Sequence, residues 1–295
     1  MTLIKRLFAP LAAMLALGGA PAAARPPAHP ALWSVADADT TIYLFGTIHL
    51  LPEKYQWRTA TFDQAVDNSQ QLVVETIVDD KDPTKLMAAM SSLAFSPGLP
   101  PLSERVPPAK RAILAAAVKK SGFPPQALDH METWAAAFIL LGNQFRDMGL
   151  KGGEGVEAVL RNSFTTKGKP IGELETNLEQ LGFFDTLPEK AQRQLLEGAI
   201  SGSADMTKDF GGMLAAWSRG DVNAIARTFN HDLAASPELR QALIKRRNQN
   251  WAKWIEQRMA SPGSVLIAVG AGHLAGQDSL LVRLAERGLA SQRVN

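Results

Sequence analysis

The chain holds five histidines and no cysteine. Any metal or acid–base chemistry therefore rests on imidazoles and carboxylates, and disulfides, thiolate sites and a Cys nucleophile are excluded. Two histidines share one context. His49 stands three residues after Gly46, where the apolar run TIYLF (Thr41 to Phe45) ends, and His273 stands three residues after Gly270, where SVLIAV (Ser264 to Val269) ends. Glu75 closes a third apolar run, QQLVVE, and Glu173 and Glu175 stand at the end of a fourth, KPIGE. A lone buried histidine is commonly no more than a hydrogen-bonded core group. The repeated context, together with the strand-terminal acids, is what argues for a site.

Two neutral imidazoles and one carboxylate, here His49, His273 and Glu75, form a three-ligand set suited to a catalytic divalent cation with an open position. Such an ion acidifies a bound water and polarises a carbonyl, and a further carboxylate such as Glu175 can move the proton. The glycines let backbone approach where side chains would block substrate or ion. Sharper motifs are missing: there is no His-Glu-x-x-His, no Gly-x-Ser-x-Gly and no Walker A loop. The segment from Gly270 to Ala275 matches a relaxed dinucleotide fingerprint, but the chain ends about 20 residues later, leaving no room for the acidic ribose partner. His29, His130 and His231 fall in a linker and in helical patterns and receive no role.

The elements that must position these groups follow from pattern. Short strands are expected at 41–45, 70–75, 169–173 and 264–269, with an edge strand at 292–294. Helices are expected near 59–68, 83–93, 108–120, 125–148, 156–166, 188–200, 206–219, 221–229, 237–259 and 278–287, many opened by proline, whose missing N–H costs nothing there. The fold class is α/β, a mixed central sheet flanked by helices, with residues 81–150 forming a largely helical insertion or lid. In open α/β sheets ligands bind beyond the carboxyl ends of strands. Strands ending in His, Glu, Glu and His would thus face one crevice.

The first 24 residues carry Lys5 and Arg6, an apolar stretch from Leu7 to Gly19, and Ala22-Ala23-Ala24. That order reads as a signal peptide cleaved after Ala24, placing the protein in the periplasm or outside the cell. A Pro/Ala linker over 25–31 would follow, then a single domain over 32–295. Cleavage leaves 29 basic against 29 acidic residues, which argues against a nucleic-acid partner. No apolar run approaches the roughly 20 residues a membrane span needs, so no stable membrane insertion is expected after signal removal.

Several blocks occur in order: LFGTIHLLP (Leu44 to Pro52), LVVE (Leu72 to Glu75), GEGVEAVL (Gly153 to Leu160), KPIGELET (Lys169 to Thr176), RRNQNWA (Arg246 to Ala252) and VGAGHLAGQDSLLVRLAERG (Val269 to Gly288). This set resembles the TraB/PrgY/GumN proteins, which include the Tiki metalloproteases. The resemblance implies a fold shared with the erythromycin-esterase and ChaN-like group. It also implies an active site of His49, Glu75 and His273 holding Mn²⁺, Co²⁺ or Zn²⁺. The family's Arg-Asn pair matches Arg247 and Asn248, which would orient substrate or hold Glu75; alternatively Arg247 is a solvated member of the Lys245-Arg246-Arg247 run. Where many bacterial members read Gly-Val-Asp, this chain has Gly155-Val156-Glu157, so a role for Glu157 beside Glu175 stays open. The expected function is an exported metal-dependent hydrolase of peptide or amide bonds. The alternatives are a protein that sequesters a peptide or small molecule without catalysis, and a metal-free, esterase-like hydrolase using the same His and Glu groups.

Overall fold

Val265 to Val269 is an unbroken apolar run because both of its faces are covered. Leu266 and Ala268 pack into one core layer with Phe45, Phe62 and Phe164, while Val265, Ile267 and Val269 pack into another with Ile42, Leu44, Trp251 and Leu280. A parallel strand buried on both sides has no solvent face to alternate with. This strand is the spine of a six-stranded mixed sheet in a computed structural model describing residues 28–295 apart from 79–81, 151–153, 202 and 234–235. The expected signal segment lies outside the described residues.

The strands are β1 (Leu32–Ala36), β2 (Thr40–Thr47), β3 (Gln71–Val74), β4 (Ile171–Glu173), β5 (Gly263–Gly270) and β6 (Gln292–Arg293), ordered β4-β3-β5-β2-β1-β6. The first four in that order run parallel, and β1 and β6 are antiparallel additions at one edge. The α/β class with a mixed sheet is therefore as expected. Strand β1 was not foreseen. Its sequence, LWSVA, is short and follows a Pro-rich stretch, and its pairing is settled by a hairpin with β2 in which Trp33 faces Leu44. At the end of the expected linker, the His29 N–H donates to the Ser218 carbonyl at 2.6 Å.

The helices are α1 (Ala60–Asn68), α2 (Thr84–Leu93), α3 (Arg111–Ser121), α4 (Pro125–Asp129), α5 (Thr133–Asp147), α6 (Val156–Thr166), α7 (Asn177–Asp185), α8 (Glu189–Ala199), α9 (Ser203–Ser218), α10 (Val222–Leu233), α11 (Pro237–Arg240), α12 (Arg246–Met259) and α13 (Leu280–Ala285). Several begin at sequence-legible caps. Thr59 and Ser279 accept backbone N–H groups, and Thr176 with Glu179 forms a reciprocal capping box.

Two helix expectations fail for physical reasons. The stretch expected at 125–148 is two helices, because the buried Arg105 guanidinium takes the carbonyl oxygens of Asp129 and Met131 and so draws them out of any helical ladder. The stretch expected at 237–259 is continuous but contains a single π turn at Gln241–Lys245, immediately before Arg247. Single π turns recur at functional sites. Among the described residues, no helix is long and apolar enough to cross a membrane.

Candidate functional site

The four parallel strands end on one side of the sheet, and their order sets the order of the polar groups beyond them. Along the β4-β3-β5-β2 edge these are Glu175, Glu75, His273 and His49. Register holds them level: Val74 lies between Glu173 and Ala268, and Thr47 is opposite Gly270. The Glu175 N–H donates to the Glu75 carbonyl at 2.9 Å, tying two of the loops together. On β2, the buried Trp217 indole donates to the Gly46 carbonyl at 2.7 Å. Helix α6 docks its first turn here, with the Val156 N–H on the Ile48 carbonyl at 3.1 Å.

Two glycines are required by close approach. A Cβ at Gly155 would stand 1.9 Å from the His49 carbonyl oxygen, an overlap no side chain tolerates. A Cβ at Gly270 would project to 3.2 Å from Glu75 Oε1, 3.6 Å from His49 Nε2 and 3.7 Å from His273 Cδ2. The space above Gly270 is therefore a small cradle on which one carboxylate and both imidazoles converge.

Arg247 sits at the centre, and the reading of it as a solvated lysine-run neighbour is wrong: it is only 6 % exposed. Its Nη2 donates to Glu75 Oε2 at 2.6 Å and to Glu175 Oε2 at 2.7 Å, and its Nε donates to both Glu175 oxygens at 3.0 Å. The guanidinium also lies 4.6 Å from the Trp251 ring centre and 5.5 Å from that of Phe183. Glu75 completes its set with the Gly270 N–H at 2.6 Å and the Gln180 amide at 3.2 Å. Trp251 Nε1 donates to Glu175 at 2.8 Å. Glu173 faces elsewhere and accepts from the Ile77 N–H at 2.8 Å.

The two candidate acids thus divide the work. Glu175 is committed to Arg247 and Trp251, whereas Glu157 accepts from Thr47 and lies 2.7 Å from His49 Nδ1. Asn248 is fully buried; its Nδ2 donates to the carbonyls of His273 and Asp278, so its Oδ1 faces His273 Nδ1 at 2.8 Å.

Charge states follow from these contacts. His273 is pushed down to about 3, because burial, helped by the Arg247 charge, outweighs the opposing pull of Glu75, and it is neutral at ordinary pH. His49 is pushed up to about 9 by the Glu157 carboxylate. In this arrangement His273 is thus a neutral imidazole and His49 an imidazolium. Burial favours the neutral form of Glu75, but Arg247 foremost and the Gly270 N–H outweigh it and hold the carboxyl well below the usual range. Burial likewise pushes Glu157 up, and the His49 charge overrides it to bring the pKa down. At Glu175 burial wins, and the pKa is raised.

A metal's fit can be judged from these donors. Both imidazoles have Nδ1 tied to an oxygen, which leaves Nε2 as the ligand atom, of His273 once Arg247 releases it and of His49 once the ring gives up its proton. This is the outer-shell arrangement that metal-binding histidines ordinarily show. As placed, however, no three His, Asp or Glu side chains among the described residues stand correctly for a metal ion. The Arg247 Nη1 stands 3.1 Å from His273 Nε2, on the nitrogen that a cation would need. The donor types suit a divalent cation, and admitting one requires both that the Arg247–His273 hydrogen bond be exchanged and that His49 give up a proton.

Of these groups His49, Glu75, Glu157, Gln180 and Arg247 line a crevice of about 380 Å³ that is also walled by the apolar Phe138 of α5, Phe184 of α7 and Val78, while His273 and Glu175 lie behind it. Phe138 and Phe184 meet edge to face at 4.7 Å. Sequence reasoning missed these residues and also Gln180, Trp251 and Thr47. Trp251 and Gln180 carried a readable signal, since Trp251 follows Arg247 by four residues on one helix face and Gln180 precedes Phe184 by four. Phe138 carried none, because only tertiary packing brings α5 over the sheet.

Residues 31–293 match the model of the TraB/PrgY/gumN family. The chain belongs to that family. Two relatives are 25 % identical to this family member over 242 residues, which is 81 % of this chain and 85 % of theirs: "Uncharacterized protein YbaP" of Escherichia coli (strain K12) and the protein of the same name in Shigella flexneri. No solved structure matches. The family assignment covers every residue of the cluster around Arg247.

Proposed function

We propose that this TraB-family chain is an exported hydrolase that cleaves peptide or amide bonds in the crevice above Gly270 with the help of a divalent cation, Mn²⁺, Co²⁺ or Zn²⁺. The observation that carries the reading is the convergence of the two imidazoles and Glu75 over a cradle free of side chain, each ring with Nδ1 anchored on an oxygen, His273 Nε2 lying 3.8 Å from Glu75 and His49 Nε2 facing the space above Gly270. His49, Glu75 and His273 would hold the ion. When bound, it supplies Lewis acidity toward a carbonyl oxygen and lowers the pKa of a water.

The remaining work falls to the chain. Glu157 lines the crevice and is free of Arg247, so it is placed to take the proton of the attacking water. As the new C–O bond forms and the C–N bond breaks, the same carboxyl returns that proton to the departing nitrogen. Arg247 fixes Glu75, and Asn248 fixes His273. The apolar wall of Phe138 and Phe184 suits a side chain next to the scissile bond and keeps water from it. Export rests on the N-terminal pattern of Lys5-Arg6, an apolar stretch and an Ala-x-Ala end.

A metal-free reading, with His49 and Glu157 as the acid–base pair, is favoured by the Arg247 bond to His273. One experiment separates the two. Purified protein is given a peptide library after chelation, with and without each ion, beside His49→Ala and His273→Ala. Turnover that requires an ion and is lost in both variants supports the metal-dependent hydrolase. Turnover that survives chelation selects the metal-free reading. Peptide binding without product under every condition overturns hydrolysis in favour of sequestration.

A further inference from the structure

Asn248 fixes the tautomer of His273 without reference to any pKa. Its Nδ2 is spent on two carbonyl oxygens, at 3.3 Å and 2.7 Å, so its Oδ1 can only accept, and His273 Nδ1 must carry the proton. The lone pair then resides on Nε2, and Nη1 of Arg247 occupies it at 3.1 Å. The same guanidinium reaches Glu75 through Nη2. Arg247 therefore spans two of the three groups that the functional reading assigns to the cation. One lone pair accepts one partner, so a cation on His273 Nε2 and the Arg247–His273 hydrogen bond exclude each other.

The surroundings allow Arg247 to withdraw without being lost. Its Nε and Nη2 contacts to Glu175 and its place between Phe183 and Trp251 involve neither Glu75 nor His273. Glu175 is thus an anchor about which the guanidinium can pivot. Building on the metal-dependent reading above, we propose that Arg247 sets the site's affinity for a divalent cation by holding His273 Nε2 and Glu75 until the ion displaces it, with Glu175 as the positioning residue that retains it. The device leaves the metal-free protein with both ligand positions occupied by Arg247 and leaves tight capture to ions that repay the exchange, zinc among them through its preference for imidazole nitrogen.

The test uses Zn²⁺ itself on chelator-treated full-length mature protein labelled with ¹⁵N-histidine. Imidazole nitrogen shifts report which ring nitrogen changes partner, and calorimetry reports affinity, for wild type and Arg247→Met. The double variant Arg247→Met/Glu175→Gln is included because the single variant strands two buried carboxylates and can fail to fold. The expected result is a zinc-dependent shift at His273 Nε2 in the wild type, with Nδ1 unchanged, and zinc affinity at least about tenfold tighter once Arg247 is removed. Zinc that binds the wild type while His273 Nε2 stays unmoved, or affinity unchanged by removing Arg247, overturns the inference and leaves the metal site standing. No zinc bound by wild type or by either variant overturns both together.

Discussion

Asn248 and the two histidines show how much of this site is decided by single buried groups. Replacing Asn248 with Ala leaves His273 Nδ1–H and the carbonyls of His273 and Asp278 without their partner in a place water does not reach. Each buried polar group left unpaired costs on the order of 1–3 kcal/mol. Asn248→Ala should therefore lower unfolding stability by about 2 kcal/mol or more in a urea titration; a loss below about 0.5 kcal/mol would show that the ring turns freely. The histidines give a pH dependence with opposite signs in chelator-treated protein. His273 is lowered from 6.5 to about 3, so below about 6.5 the unfolded chain takes up a proton that the folded chain refuses, and stability falls as pH drops toward 3. His49 is raised from 6.5 to about 9, so its contribution is complete below 6.5 and is lost as pH rises through 9. The latter is the smaller effect, since the His49 side chain is 66 % exposed and water screens its pairing with Glu157. Urea midpoints across this range should show a shallower acid limb in His273→Gln and a flatter alkaline limb in Glu157→Gln than in wild type. Identical acid limbs in wild type and His273→Gln would refute the buried neutral imidazole.

At the scale of elements, the polar edge of the sheet depends on how closely α6 meets the loop after β2. Gly155→Ala places a methyl group inside the His49 carbonyl, and the neighbour is backbone, which cannot rotate away. The first turn of α6 must move, taking Glu157 off His49. Overpacking of this kind costs about 1–3 kcal/mol, and the His49 ring should lose its raised pKa in the same variant, read by proton NMR. A His49 pKa unchanged in Gly155→Ala would show that α6 docking does not position the pair. Much of this arrangement was legible in advance. Four apolar runs with polar ends gave His49, Glu75, Glu175 and His273, since parallel strands buried on both faces leave an unmistakable pattern and their carboxyl ends share a side. What was not legible depended on distant partners. Nothing local in His130 to Glu132 announces that Arg105 will take the carbonyls around it, and nothing in QALIK announces a π turn. The burial of Arg247 within a run of three basic residues was likewise invisible until Glu75 and Glu175 met it from two other strands.

Across the whole molecule, the strand-end loops with α6 and α12 supply the charged side of the crevice and α5 and α7 supply its apolar wall, so under the proposed function chemistry and selectivity would sit on different parts of the chain. That division can be measured. Phe138 is half-buried, packs on Phe184 at 4.7 Å and Trp134 at 5.5 Å, and makes no contact with the Arg247 hydrogen-bond network. Phe138→Ala should remove one side of a subsite while leaving the charged side as it is. Covering an aromatic side chain of a substrate is worth about 1.5–3 kcal/mol when complete, so a partial wall accounts for about tenfold in binding. Gly-Phe and Gly-Gly series peptides, assayed with the same ion, separate subsite from scaffold. The expected outcome is a KM raised about tenfold for the phenylalanine peptides, kcat nearly unchanged, and no change for the glycine peptides. Any rise in Tm that an added ion brings should also stay at its wild-type value, because the proposed ligands His49, Glu75 and His273 lie outside the α5–α7 wall. An equal loss across both peptide series, with a lower Tm in the metal-free state, would instead make Phe138 a support for the helical insertion and place substrate selection elsewhere in the crevice.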